Sequence, residues 1–131
     1  MPGKICEYYL YNHRNVKADV EQIASGAGLA FILNGGSEKK YKIAEFFLSN
    51  GLDVNGVNHY GDYNLTPIYG SVLLNDVEMA RFLLGHGADL RVRPPSVNMN
   101  PLEFGQSLQE NDPTVDRRKV LELLAERMKN T

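Results

Sequence analysis

A single cysteine, Cys6, leaves this chain unable to close an intramolecular disulfide or to gather the thiolates of a structural zinc site. Histidine is nearly as scarce: His13, His59 and His86 are the only three, and none stands in a metal-ligand spacing such as His-Glu-x-x-His. Neither a metal nor a cofactor is expected. Charge of one sign is also lacking, since 14 basic against 16 acidic residues give −2, too little to collect a polyanion over the whole surface. Nucleic acid is therefore not an expected partner; contact through Arg91, Arg93, Arg117, Arg118 and Lys119 would need those residues on one surface. Long hydrophobic runs are missing too. The apolar stretch at Gly28–Leu33 falls far short of the roughly 20 residues that cross a bilayer. Residues 1–15 mix Tyr, His and Arg where a signal peptide would be continuously apolar. These absences predict a soluble, cytoplasmic protein without membrane contact.

Catalytic patterns are equally thin. Asn34-Gly35-Gly36-Ser37 lacks the Gly-Lys-Ser/Thr ending with which a P-loop holds phosphate, and reads as a turn. No Gly-x-Ser-x-Gly elbow occurs, and Cys6 in its aromatic-rich context reads as a buried apolar residue. Glu110 and Asp112 fall in a polar stretch where burial cannot raise a carboxyl pKa towards that of a general acid. An enzyme is not expected.

What is present is a repeat. The 131 residues suit one domain, and 43% hydrophobic with 23% charged is an ordinary globular balance. Within it, Ile43 to Val54 (IAEFFLSNGLDV) matches Met79 to Leu90 (MARFLLGHGADL) at its apolar and glycine positions, 36 residues on. Each copy runs an apolar helical pattern into a Gly suited to the left-handed close of a helix. Leu65-Thr66-Pro67-Ile68-Tyr69 is echoed by Asn100-Pro101-Leu102-Glu103-Phe104, with Pro in a first helical turn and Thr or Asn placed to cap it. Second helices should start near Asp76 and near Asp116, the latter presenting Val120, Leu121, Leu123 and Leu124.

Thr66-Pro67-Ile68-Tyr69 through Leu83-Leu84-Gly85-His86-Gly87-Ala88-Asp89 resembles the ankyrin repeat, a helix pair of about 33 residues. The resemblance implies an all-α, ankyrin-like solenoid over residues 1–131. Its units would be an N-terminal capping helix pair at 1–26, repeats at 27–54 and 55–90, and a C-terminal repeat at 91–131 with an insertion at Gln109–Asp116. In the first pair, Ile5, Tyr8 and Tyr9 would pack against a helix carrying Val16, Val20, Ile23 and Ala24 and stopping at Gly26. Tyr69 and Glu103 depart from the family, which usually has His there. The link from Gly51 to Thr66 is longer than its norm.

The resemblance also implies function. Ankyrin repeats grip partners with projecting finger loops and with their first helices. By position, the first finger is Asn55–Leu65, with His59, Tyr60, Asp62 and Tyr63, and the second is Arg91–Met99. Tyrosine supplies large contact area at small entropic cost, so Tyr60 and Tyr63 are either partner anchors or lids on their own helix pair. Arg91 and Arg93 alternate along an extended segment stiffened by Pro94-Pro95, as a solvated loop or as an anchor for an acidic surface. Leu73, Leu74 and Leu108 occupy positions that the family leaves open on the concave side, where they mark an interface or pack beneath the loops. The expected function is a non-catalytic module, monomeric when free, that binds another protein as a stoichiometric inhibitor or immunity partner. The alternative is an enzyme or small-ligand binder with its site in the insertion loops.

Overall fold

The computed structural model describes residues 16–61 and 63–130. The expected face of Ile5, Tyr8 and Tyr9 lies outside them, as do Cys6, His13 and Asp62. The described residues form seven helices and no strand: α1 Val16–Ser25, α2 Leu29–Leu33, α3 Lys40–Ser49, α4 Pro67–Leu73, α5 Val77–Gly85, α6 Pro101–Asn111 and α7 Arg118–Lys129. The chain is all-α over this span.

Local chemistry sets the boundaries. Pro67 and Pro101 open α4 and α6, where a missing N–H costs nothing. Asn100 accepts from the Glu103 N–H while Glu103 accepts from the Asn100 N–H, a complete capping box. Thr66 makes no such bond, and its hydroxyl is buried without a partner. Asp76 caps α5 through the Met79 N–H, and the Asp116 carboxylate takes the Arg118 N–H at the start of α7. Gly51 (φ 103°) and Gly87 (φ 94°) close α3 and α5 in the left-handed region. Directly after each, Leu52 and Ala88 return their N–H groups to Phe47 and Leu83, five residues back in both copies. The 36-residue likeness in sequence is thus also a likeness in hydrogen bonding.

Apolar faces then choose the neighbours. α2 packs on α3, α4 on α5 and α6 on α7, while α4 also touches α2 and α6, and α5 touches α7. Leu29, Leu33, Phe47, Ile68, Val72, Met79, Leu83, Val120 and Leu124 are buried in one continuous core. Two devices bring the pairs together. Gly105 is buried where a Cβ would lie 2.6 Å from the Leu121 Cδ2 and 3.1 Å from Val72, so glycine lets α6 settle against both neighbours without displacing the Leu121 side chain. The Tyr69 and Phe104 rings meet edge-on at 5.4 Å across α4 and α6. At the far end, Arg127 of α7 donates to the Leu84 carbonyl at 2.9 Å, a second donor for a carbonyl in the last turn of α5 that also accepts the Gly87 N–H at 3.2 Å.

Candidate interaction surface

The two fingers leave their helices through the same turn. The Asp53 carboxylate accepts the Asn55 N–H at 2.8 Å, and 36 residues later the Asp89 carboxylate accepts the Arg91 N–H, also at 2.8 Å. Asn55 joins the two starting points, since its side-chain oxygen accepts the Asp89 N–H at 2.8 Å and its amide donates to the Gly87 carbonyl at 3.4 Å.

Beyond that turn the first finger is held by backbone. Asn58 N–H donates to the Leu65 carbonyl at 2.9 Å, and His59 N–H donates to the Gly26 carbonyl at 2.8 Å, tying the loop to the α1–α2 turn. The Asn58 side chain accepts from the Tyr60 and Gly61 N–H groups at 2.9 and 3.2 Å. This frame spends no aromatic ring on itself. Tyr60 is 82% exposed and Tyr63 56%. The Tyr60 ring edge lies over Gly26, where a Cβ would meet it at 2.8 Å, so it leans on the neighbouring turn and not on its own helix pair.

In the second finger the Val97 and Asn98 N–H groups donate to the Pro94 carbonyl at 3.1 and 2.7 Å, and side chains supply the remaining ties. Tyr69, fully buried on α4, sets its hydroxyl 2.7 Å from both the Val92 and Met99 carbonyls, bridging the two limbs of the loop. Burial pushes its phenol up to about 12. Arg93 pairs with Glu103 and donates to the Asn98 carbonyl at 2.8 Å. The Asn100 N–H, and after it Arg93, hold the Glu103 carboxyl below its ordinary range. Arg91 is bound to Asp89 at 3.4 Å, and the Arg91 backbone N–H is the largest influence lowering that carboxyl. Ser96 donates to the Tyr63 carbonyl at 2.7 Å, fastening finger to finger.

These contacts bear on the sequence reading. Arg91 and Arg93 each have an acidic partner in the chain, Asp89 and Glu103, while the Arg91 side chain stays 84% exposed. The five basic residues considered together do not form one free surface: Arg117 is buried and Arg118 pairs with Asp116 at 2.8 Å. Leu108 is not open; it is partly buried against the core, unlike Leu73 and Leu74, which are 53% and 58% exposed. His59 is exposed in the first finger. One residue was missed. Phe31 is 70% exposed, and its signal was the spacing of Leu29, Ile32 and Leu33, which share a face of α2 that excludes it.

Phe31, Tyr60, Tyr63, Leu73 and Leu74 are the large exposed hydrophobic residues of the described chain, and they line two adjoining recesses. One, of about 330 Å³, lies between α1 and α2 and is bounded by Asp19, Ile23, Phe31 and Tyr60. The other, of about 340 Å³, lies between α2 and α4 beneath the first finger, with Ala30, Tyr63, Leu73, Leu74 and Met79 around it and Thr66 in its lining. Elsewhere, an open cleft of about 500 Å³ contains Glu45, Asp53 and His86, but the His86 ring lies tilted against Phe82, with centroids 4.5 Å apart. No group of three or more His, Cys, Asp or Glu residues among the described ones is placed to hold a metal. No described helix is long and apolar enough to cross a membrane. No protein-family model matches the chain, and no curated protein is significantly similar to it.

Proposed function

We propose that this chain is a non-catalytic protein-binding module, an ankyrin-like solenoid of about four helix pairs. Its partner docks on the first finger and on helices α2 and α4. The observation that carries this reading is the gathering of five exposed apolar side chains on adjoining recesses. Scattered exposed apolar residues are normal, whereas a contiguous patch framed by a stiff loop marks an interface. The repeated helix closure and finger turn, 36 residues apart, support the solenoid.

Affinity purification with mass spectrometry tests the proposal, comparing wild type with Tyr60→Ala/Tyr63→Ala and with Glu45→Ala/Arg81→Ala on the exposed sides of α3 and α5. A protein retained by wild type and by the helix variant, and lost from the finger variant, supports it. Loss from the helix variant alone places the partner on the opposite side and overturns the site.

A further inference from the structure

We infer that the two recesses take a peptide segment bearing two bulky apolar side chains next to a basic residue. This rests on the protein-binding reading and names the chemistry of the partner. Each recess is large enough for one such side chain, since an apolar cavity of about 150 Å³ already holds benzene. Their polarity selects what enters. Helices α2 (LAFIL) and α4 (PIYGSVL) contain no Asp, Glu, Lys or Arg, and Asp19 is the only charged side chain among the described residues lining either recess. No cation is among the described lining residues: Lys17 is exposed on α1 outside the lining, Lys40, Lys42, Arg81, Arg118 and Lys119 are on α3, α5 and α7, and both finger arginines pair with acids. An acidic segment would meet one carboxylate and no lining cation, whereas a basic residue beside the anchors would meet Asp19. Thr66 adds a polar point of contact. Thr66 belongs to the lining of the α2–α4 recess and its hydroxyl is buried without a partner, so a segment that reaches it by displacing the lining can donate a backbone N–H to it or accept from it.

The probes are three synthetic peptides of equal length: one with Trp and Leu anchors beside Lys, one with Glu replacing that Lys, and one with Ser replacing both anchors. The protein contains no tryptophan, so Trp emission reports burial of the peptide alone. The Lys peptide is expected to bind with blue-shifted emission, the Glu peptide at least fivefold more weakly at low salt, and the Ser peptide not at all. On the protein side, Leu73→Ser/Leu74→Ser should weaken the Lys peptide at least tenfold, and Asp19→Asn should erase the preference for Lys over Glu. Thr66→Val should lower affinity several-fold without lowering the melting temperature. The inference is overturned if the Glu peptide binds as tightly as the Lys peptide, if the leucine variant binds like wild type, or if no peptide binds. It is also overturned if sedimentation shows a dimer that Leu73→Ser/Leu74→Ser converts to monomer. If peptides fail while the finger variant loses a protein partner, the binding module stands and only this inference falls.

Discussion

The two fingers start from one turn and end in opposite uses of their aromatic and charged side chains. In the second, Tyr69, Arg93 and Glu103 are all engaged in holding the loop, and little is left for a partner. In the first, backbone bonds and one asparagine hold the loop, and two tyrosines stand in solvent. A loop that supports itself with main-chain bonds frees its side chains for recognition, and pre-organisation reduces the ordering cost of binding. On the proposed function, the second finger serves as scaffold and the first as the contact surface.

The sharpest break of this comparison exchanges one tyrosine for another. Tyr69→Ala empties a fully buried site and removes the bridge between Val92 and Met99, so it should destabilise the fold by about 3–5 kcal/mol. Tyr60→Ala should stay within about 0.5 kcal/mol, as exposed substitutions usually do. Urea unfolding of the two variants reads the difference directly. Equal losses would mean that the first finger also depends on its ring.

Binding reverses the order. Tyr60→Ala with Tyr63→Ala should weaken the partner complex by about 2 kcal/mol or more with folding retained. Arg91→Ala should change it little, because the proposed contact lies on the first finger and the exposed Arg91 makes one surface pair, with Asp89, of small energy. Titration calorimetry against a captured partner would decide, and a larger loss from Arg91→Ala would hand the contact to the second finger.

What was legible in the sequence was the local part. Helix starts at Pro67 and Pro101, and the closures at Gly51 and Gly87, follow from neighbours within five residues, and each is where the pattern predicts it. The partnering of Arg93 was not legible, because Glu103 lies ten residues from it and reaches it only once α6 and its cap have formed, whereas Asp89 stands two residues from Arg91. Leu108 could be read either way for a related reason: whether a helical position is open depends on which element lies across it, and here it packs against the core. The Tyr69 bridge spans 23 and 30 residues, beyond any periodicity argument, although Tyr in place of the expected His marked the position as unusual.

A smaller effect tests whether the fingers do share their base. Gly51→Val and Gly87→Val place a β-branched residue at positive φ with no atom near the added Cβ, so strain and not collision sets the cost. Each should lose about 1–2 kcal/mol, and the two should agree within about 0.5 kcal/mol. Unequal thermal unfolding would show that the loops differ from their first residue onward.

The smallest effect isolates a single hydroxyl. Tyr69→Phe keeps the ring and its contact with Phe104 but leaves the Val92 and Met99 carbonyls without their shared donor, which should cost about 1 kcal/mol at neutral pH. Its pH dependence is the distinguishing mark. The folded phenol holds its proton up to about 12, against about 10 unfolded. Between those values the native state therefore binds more protons than the unfolded one, so stability is fully present below pH 10 and falls as pH rises towards 12. Tyr41, also raised by burial and then by Asp76 and Glu78, contributes a weaker fall in the same direction and remains in the variant. Melting temperatures measured from pH 8 to pH 12 should accordingly drop less steeply for Tyr69→Phe than for wild type, with the gap between the two proteins closing as the phenol ionises. Parallel curves would mean that the hydroxyl does not bridge the second finger, and the contrast between a side-chain-held loop and a backbone-held loop would lose its main support.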